Sequence, residues 1–257
     1  MIPRWAVLIA TCCVTPAHAD VGPLPGADIF VLGEVHDNPT HHATQAGIVA
    51  EVQPKALVFE MLTAAQAAAA MSVDRADAYA VAAATGWADS GWPDFAMYAP
   101  IFAAAPEAMI VGAAVPRDDM LRAMKEGAAA VSTLPVPPLT DAQLAVLSQE
   151  QAEAHCGALP PEMLPGMVEA QRLRDADFAG ATLSAFDAVG GPVVLITGTG
   201  HARTDVGVPV ALRLARPDLT VWSLGQIEGT AETDAPFDAV VVTGVTDRPD
   251  PCATFTQ

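Results

Sequence analysis

Histidine and carboxylate side chains cluster after three apolar runs of the sequence, at 28–33, 56–60 and 193–198. The clustered residues are Glu34, His36, His41, His42, Glu60 and His201. A single histidine after a strand is usually a structural hydrogen-bonding group, but four at two strand ends favour a site. Imidazole and carboxylate groups suit a divalent transition metal or general acid–base catalysis. These residue types therefore predict one of those two chemistries.

The elements that position these residues are predicted from an alternation of short apolar runs and Ala-rich helical stretches. The runs are apolar throughout and do not alternate between apolar and polar residues, which is typical of strands buried on both faces of a sheet. The predicted strands are 28–33, 56–60, 109–114, 193–198, 220–224 and 239–243. The predicted helices are 40–53, 63–84, 94–105, 117–130, 140–155, 162–188 and 205–215. This order predicts an α/β fold with a mostly parallel open sheet flanked by helices.

Two local signals support helix starts. Thr140 with Gln143 forms a capping-box pattern, and Asn38 precedes Pro39 at the first helix.

The stretch 115–190 is almost wholly helical and is interrupted by prolines at 135, 137, 138, 160, 161 and 165. We interpret it as a helical insertion, or lid, between the third and fourth strands. The predicted organisation is a single α/β domain over 20–257 with this lid.

In a parallel α/β sheet, ligands bind beyond the carboxyl ends of the strands. Glu34, His36, Glu60 and His201 all follow such ends, and the fold would bring these ends together. Two other site types are poorly supported. Gly198-Thr199-Gly200 is an incomplete dinucleotide loop, and the chain has no Gly-x-Ser-x-Gly nucleophile motif.

The composition restricts the partners. The 257 residues include 12 Lys+Arg and 30 Asp+Glu, a formal net charge of −18. Phosphate binding depends on clustered lysine and arginine, so this balance argues against nucleic acid and anionic lipid. A small ligand, a metal or a cationic partner stays compatible with it.

The N-terminus predicts export. Residues 1–19 have a positively charged start, an apolar stretch and a small-x-small ending at 17–19, which is typical of a secretory signal peptide. We expect the mature chain to begin at Asp20 and to be periplasmic or secreted. Cys12 lies in a poor lipobox, Ile9-Ala10-Thr11-Cys12, which leaves a lipid-anchored form open.

Two cysteines, Cys156 and Cys252, stay in the mature chain. In an oxidising compartment an even pair most simply forms a disulfide, which here would join the C-terminus to the end of a mid-chain helix. Two buried free thiols are the alternative.

Several separated segments, in order, resemble the ChaN-like family of haem-binding proteins in the Tiki/TraB superfamily. They are LGEVHDNPTHHATQAGIV, ALVFEML, WPDFAMYAPIF, GAAVPRD, HCGALPPEMLPGMVEAQRLRDADFA and GTGHARTDVGVP. The superfamily's two Gly-x-x-His motifs correspond to Gly33 to His36 and Gly198 to His201, and its strand-end glutamate corresponds to Glu60.

The resemblance implies an exported protein that binds haem in haem or iron uptake at the cell envelope. It suggests a homodimer around the ligand and an outer-membrane haem receptor as partners. Tyr98, His36 and His201 are the implied iron ligands, since phenolate and imidazole both bind haem iron. For Tyr98, packing as an aromatic beneath the lid is the open alternative.

The resemblance also indicates how the rest of the haem would be held. Gln171, Arg174, Asp175 and Phe178 share one helix face by their spacing, and this face either lines the pocket or is solvated. If it lines the pocket, Gln171 and Arg174 contact the ligand. Arg117 and Arg203 would pair with the haem propionates.

A second function stays open. The Tiki and erythromycin-esterase branches imply a metal-dependent protease or esterase, in which His36, Glu60 and His201 surround a divalent ion such as manganese or zinc, or act directly as acid and base. The sequence does not decide whether the protein is an enzyme.

Overall fold

A parallel β-sheet forms the centre of the fold in the computed structural model, which describes residues 21–254. Within that part of the chain the sheet has six strands, in the order β3-β2-β4-β1-β5-β6. The strands are β1 Ile29–Glu34, β2 Ala56–Phe59, β3 Met109–Gly112, β4 Val193–Gly198, β5 Val221–Glu228 and β6 Ala239–Thr243. The predicted α/β fold is confirmed, and every described strand pair is parallel.

Helices connect the strands and cover both faces of the sheet. They are α1 Pro39–Val52, α2 Ala64–Ala70, α3 Ala78–Thr85, α4 Phe95–Ala104, α5 Arg117–Glu126, α6 Ala128–Val131, α7 Asp141–Ala154, α8 Leu164–Val189 and α9 Val208–Ala215. The predicted capping box is present at α7, where Thr140 and Gln143 bond each other's backbone N–H. Asn38 caps α1 through Thr40 N.

Alternating side chains of the buried strands feed two hydrophobic clusters, one on each face. Phe30, Leu32 and Phe59 point into the cluster that packs against α1 and α4. Val31, Val58 and Leu195 point into the cluster that packs against α8 and α9. Because both faces are covered, the strand runs are continuously apolar, as the sequence indicated.

Two predicted helices are divided. The stretch predicted as one helix over 63–84 contains α2 and α3, with a turn between them and Asp77 as the new N-cap. The stretch predicted over 117–130 is divided at Gly127, which has φ +88°. Propensity alone could not locate these breaks, because the Ala-rich sequence favours helix throughout.

The predicted helical insertion between the third and fourth strands is confirmed as α5–α8. Its own small core joins Ala123, Ala128 and Leu173. α8 packs on the sheet, whereas α7 lies outside α8 and contributes no buried residue. We call α7 the lid helix.

The sheet order brings the candidate strand ends together. β1 and β4 are direct neighbours, and Glu34 pairs in register with Gly198. β2 lies on the other side of β4, and Glu60 N donates to Ile196 O at 3.2 Å. The ends of these three strands therefore share one edge of the sheet.

The predicted disulfide between Cys156 and Cys252 is confirmed, and it links residues 96 positions apart. The predicted signal peptide, 1–19, lies outside the described residues. Within residues 21–254, no helix has both the length and the apolar character needed to cross a membrane.

Candidate functional site

Glu34, at the end of β1, is the centre of one half of the site. Its carboxylate is buried, and Oε1 accepts a hydrogen bond from the Tyr98 hydroxyl at 2.8 Å. The same oxygen lies 2.9 Å from His36 Nδ1, and Oε2 lies 3.2 Å from His42 Nδ1. One carboxylate thus gathers three side chains from the β1–α1 segment and α4.

These contacts fix the charge state of Glu34. Burial alone would raise the pKa of this carboxyl, but the contacts with His36 and His42 outweigh it and hold the pKa at about 2. For Tyr98 the directions agree: burial and the charge of Glu34 both raise the pKa of the phenol. Near neutral pH, Glu34 is therefore ionised and Tyr98 keeps its proton.

Glu60, just after β2, connects this half of the site to β4. Its Oε2 accepts hydrogen bonds from Gly198 N at 2.8 Å and from the Thr197 hydroxyl. Its Oε1 lies 3.5 Å from His36 Nε2. Burial would lower the pKa of His36, but Glu34 and Glu60 raise it above its ordinary value.

His201 forms the second half of the site with α8. Its Nδ1 lies 2.6 Å from Asp175 Oδ1, and Gln171 Nε2 lies 3.2 Å from the ring nitrogens. The Phe178 ring packs edge-on against the imidazole, with centroids 4.9 Å apart. Burial would lower the pKa of His201, but the charge and hydrogen bond of Asp175 raise it.

The two halves meet at Gly198. A Cβ atom built on this residue would lie 3.2 Å from His36 Nε2 and 3.8 Å from His201 Cδ2. Since glycine has no side chain, both imidazoles approach the same stretch of β4 backbone. The structure therefore brings together His36, Glu60 and His201, which the sequence placed at three separate strand ends.

His41 and His42 are bound within the loop after β1. His41 Nδ1 accepts from Val35 N at 2.9 Å, and its Nε2 lies 2.9 Å from Thr243 Oγ1. Burial lowers the pKa of His41 to about 4, so the ring is neutral. His42 Nε2 donates to His36 O at 2.8 Å. Both rings are fully buried and orient the loop that carries His36.

The three candidate arginines have different surroundings. Arg174 on α8 is half-buried and acts electrostatically on His201 and Asp175. Arg203 is already neutralised, by Glu150 at 2.7 Å and by Asp205 at 2.8 Å. Arg117 is exposed at the start of α5, and no described contact joins it to the histidines.

A cavity of about 190 Å³ lies under the lid helix. The lid helix contributes Leu147, Gln151 and Ala154 to its wall. The opposite wall includes Gln171 and Asp175, the two partners of His201. The cavity therefore adjoins the second half of the site.

A protein family described as "Haem-binding uptake, Tiki superfamily, ChaN" matches this chain over residues 21–212. The match covers more than half of the 257 residues. The chain belongs to this ChaN family. No curated protein sequence matches it.

One solved structure shares the fold of this chain, and two others resemble it more weakly. A structure titled "Cofacial heme binding to ChaN of Campylobacter jejuni" has a TM-score of 0.66 at 20% identity and covers 83% of this chain and 86% of that one. An open form of a mutant of the erythromycin esterase EreC gives 0.44 at 13% identity, covering 89% and 78%. The type III effector HopBA1 gives 0.42 at 14%, covering 85% and 88%.

Two residues of this ChaN-family site were not among the sequence candidates. Asp175 was noticed on the same helix face as Gln171, but nothing in the sequence paired it with His201. Trp92 packs edge-on against His36, with ring centroids 4.9 Å apart. Trp92 begins the segment that contains Tyr98, and that proximity was the available signal.

Tyr98 lies elsewhere than beneath the lid. It is fully buried in the cluster on the opposite face of the sheet, against Trp87 and His42. The alternative of packing beneath the lid was therefore wrong, because α4 packs against α1 and α3 on that opposite face.

Metal ligands are not grouped in the described part of this ChaN-family chain. Between residues 21 and 254, no three His, Cys, Asp or Glu side chains are arranged to hold one metal ion. The imidazoles are instead paired with carboxylates, His36 with Glu34 and His201 with Asp175.

Proposed function

We propose that this protein binds haem through His36 and handles haem or iron in the cell envelope. The observation that carries the proposal is the geometry of His36. Its side chain is 35% exposed, its Nδ1 contacts Glu34, and its Nε2 lies over the bare backbone of Gly198. When bound, haem would supply an iron atom that an imidazole nitrogen such as His36 Nε2 would ligate.

The pairing with Glu34 is the arrangement that suits a ligating histidine. A ligating imidazole commonly donates its other N–H to a carboxylate, which fixes the tautomer and makes the free nitrogen more basic. Because Glu34 is ionised, it accepts from His36 Nδ1, and the Nε2 side of the ring, 3.5 Å from Glu60 Oε1, is left to face a ligand.

His36 is the most accessible of the three proposed iron ligands. His201 is only 7% exposed, and Tyr98 is fully buried with its hydroxyl on Glu34. We infer that Tyr98 positions the Glu34 carboxylate. His201 would contact the ligand from the opposite half of the site, and Glu60, His41 and His42 would hold the two strand-end loops.

Arg174 is the arginine best suited to a haem propionate. It is half-buried near His201, and no described carboxylate lies within ion-pair distance of it. Arg203 would have to leave both Glu150 and Asp205 to bind a propionate. Gln171 would line the pocket beside Arg174, whereas Arg117 is exposed at the start of α5 and has no described contact with the site.

Export and assembly belong to the same proposal. The disulfide is consistent with an oxidising compartment, and the N-terminal sequence has the pattern of a signal peptide. We propose a periplasmic or secreted protein, with the lipid-anchored form as a variant. A homodimer around the ligand and an outer-membrane haem receptor are its proposed partners.

Haemin titration of the purified mature protein tests the binding. We expect a saturable Soret shift that His36→Ala abolishes or weakens at least tenfold. Tyr79→Ala is the control, because Tyr79 on α3 is 85% exposed. An unchanged titration in His36→Ala would reject His36 as the ligand, and no Soret response in the wild type would reject haem binding.

The two imidazole–carboxylate pairs favour hydrolysis as a second candidate function. His201 with Asp175 has the form of a general base and the group that orients it, and His36 with Glu34 faces it across Gly198. With Glu60, these residues would hydrolyse an ester or peptide with or without a divalent ion such as manganese or zinc. Stoichiometric bound metal, or ester turnover lost in His201→Ala, without a Soret response would favour this function.

A further inference from the structure

The C-terminal segment 244–254, which we call the strap, crosses from the sheet to the lid helix. Arg248 bonds Glu228 through both terminal nitrogens, at 2.7 and 2.6 Å, and its Nε bonds Asp37 Oδ2 at 2.7 Å. Asp37 directly follows His36. Four residues after Arg248, Cys252 forms the disulfide with Cys156. The strap therefore ties the loop that carries His36 to the end of the lid helix.

The lid helix has few other attachments. None of its residues is buried, so hydrophobic burial contributes little to holding it in place. Its described ion pair with the rest of the fold joins Glu150 to Arg203 at 2.7 Å, and the Glu150 carboxylate is about half exposed. Because this carboxylate is half exposed, water screens its attraction to Arg203, and the pair contributes little to holding the helix. Proline-containing segments flank the helix on both sides, at 135–138 and 160–165.

The cavity under the lid helix is small compared with pockets that enclose ligands. Pockets that enclose drug-sized ligands have volumes of about 300–1,000 Å³, and this cavity has about 190 Å³. Its walls come from the lid helix on one side and from the partners of His201 on the other. Moving the lid helix outward would enlarge the cavity and expose His201.

We propose that the Cys156–Cys252 disulfide is a redox site that keeps the lid helix closed over the His201 half of the site, and that its reduction by a dithiol opens that half. The proposal rests on the proposed haem binding for its purpose, since it assigns the lid helix as the entrance for that ligand. The lid movement itself does not depend on the identity of the ligand.

The reduction step is ordinary thiol–disulfide exchange. A thiolate of the dithiol attacks one sulfur of the bridge, the S–S bond breaks, and the other cysteine leaves as a thiolate. The second thiol of the dithiol then resolves the mixed disulfide. Two electrons and two protons pass to Cys156 and Cys252, and the dithiol becomes a disulfide. Both cysteines are partly exposed, and Gly157 and Ala253 beside them are exposed.

The strap is a feature beyond the family match. That match ends at residue 212, whereas Arg248 and Cys252 both lie after it.

Amide hydrogen exchange tests the lid without any ligand. In the oxidised protein we expect 141–154 to be protected. After dithiothreitol, or in Cys252→Ser, we expect these amides to exchange at least tenfold faster, with rates insensitive to low urea, which marks local opening. Amides of α8 should keep urea-sensitive exchange in both forms. Unchanged exchange rates in 141–154 would overturn the proposal. A urea-sensitive increase in exchange rate that is equal in the lid helix and in α8 would also overturn it, because the bridge would then only stabilise the whole fold.

Two variants separate the bridge from the ion pair. Dithiothreitol should not accelerate exchange further in Cys252→Ser, which has no bridge to reduce. Glu150→Gln removes the ion pair with Arg203 and keeps the bridge, so we expect its lid helix to stay protected until reductant is added. Full opening of Glu150→Gln in the oxidised state would contradict the role assigned to the disulfide.

Haemin association tests the consequence for the site. Wild type and Cys252→Ser are compared without reductant, so that the iron is not reduced. We expect association at least tenfold faster in Cys252→Ser. Equal rates in two proteins that both bind would overturn gating while leaving haem binding intact. Binding by neither protein would reject the proposed function, and the exchange experiment would still decide whether the lid opens.

Discussion

At the scale of single residues, the site consists of imidazoles whose states are set by carboxylates. Glu34 gathers His36, His42 and Tyr98, and Asp175 holds His201. In each of these contacts an ionised carboxylate is favoured next to an N–H or O–H donor. The imidazoles and the Tyr98 hydroxyl are therefore oriented before any ligand binds. Pre-orientation of this kind lowers the cost of ordering the site upon binding.

Tyr98→Phe separates positioning from iron ligation. Loss of the hydroxyl removes a donor from a buried carboxylate, so we expect a stability loss of about 1–3 kcal/mol with the Soret band position retained. Tyr79→Phe is the matched control, because Tyr79 is 85% exposed. Urea unfolding and the haemin titration measure the two effects. A lost or shifted Soret band in folded Tyr98→Phe would instead favour Tyr98 as the iron ligand.

At the scale of elements, the strand order and the strap decide which loops meet. β1 and β4 pair in register up to Glu34 and Gly198, which places the two Gly-x-x-His segments side by side. The loop after β1 is then held from the other side by the strap, through Arg248 and Asp37. The attachment depends on Glu228 at the end of β5, whose carboxylate accepts both terminal nitrogens of Arg248.

Arg248→Ala should lose this attachment in a pH-dependent way. The bonds from Arg248 hold the pKa of Glu228 at about 2, against an ordinary value of 4.5. A lowered acid pKa contributes stability that is present above pH 4.5 and lost as the pH falls towards 2. We therefore expect Arg248→Ala to lower Tm at pH 6, with the difference from wild type shrinking by pH 2.5.

Arg213→Ala is the control for that prediction, because the Arg213–Asp238 pair is exposed and longer, at 3.3 Å. We expect it to change Tm little at either pH. If the difference in Tm between Arg248→Ala and wild type stayed constant from pH 6 to 2.5, the contribution of Arg248 would not depend on the protonation of Glu228.

At the scale of the whole molecule, contacts between the central and outer strands make the site part of global stability. His41 joins Val35, just after the central strand β1, to Thr243 at the end of the edge strand β6. The bond from Val35 N needs a neutral ring, because Nδ1 can accept only while it carries no proton. Protonation of His41 is therefore coupled to unfolding.

His41 should make the fold sensitive to mild acid. Burial holds the folded pKa at about 4, whereas the ordinary value is 6.5. The contribution is present above pH 6.5 and is lost as the pH falls towards 4, because the unfolded chain takes up the proton first. Between pH 7 and 5 this amounts to at most about 2 kcal/mol. Urea unfolding should show a smaller loss over this range in His41→Gln than in wild type, and equal losses would exclude His41 as the cause.

Much of this arrangement was predictable from local sequence. The continuous apolar runs predicted the parallel sheet, and Thr140 with Gln143 predicted the start of α7. The even pair of cysteines predicted the disulfide. The breaks at Asp77 and Gly127 were not predicted, because helix propensity is uniform across those Ala-rich stretches.

The sequence by itself determined that imidazoles and carboxylates follow buried strands, because the apolar runs and the residues that flank them are local properties of the chain. Only the tertiary structure decided the partners: Asp175 for His201, Glu34 for Tyr98, and Glu150 for Arg203. These partners are 26, 64 and 53 residues apart. Which of many carboxylates meets a given donor is set by strand register and helix packing, and neither is encoded in any single segment.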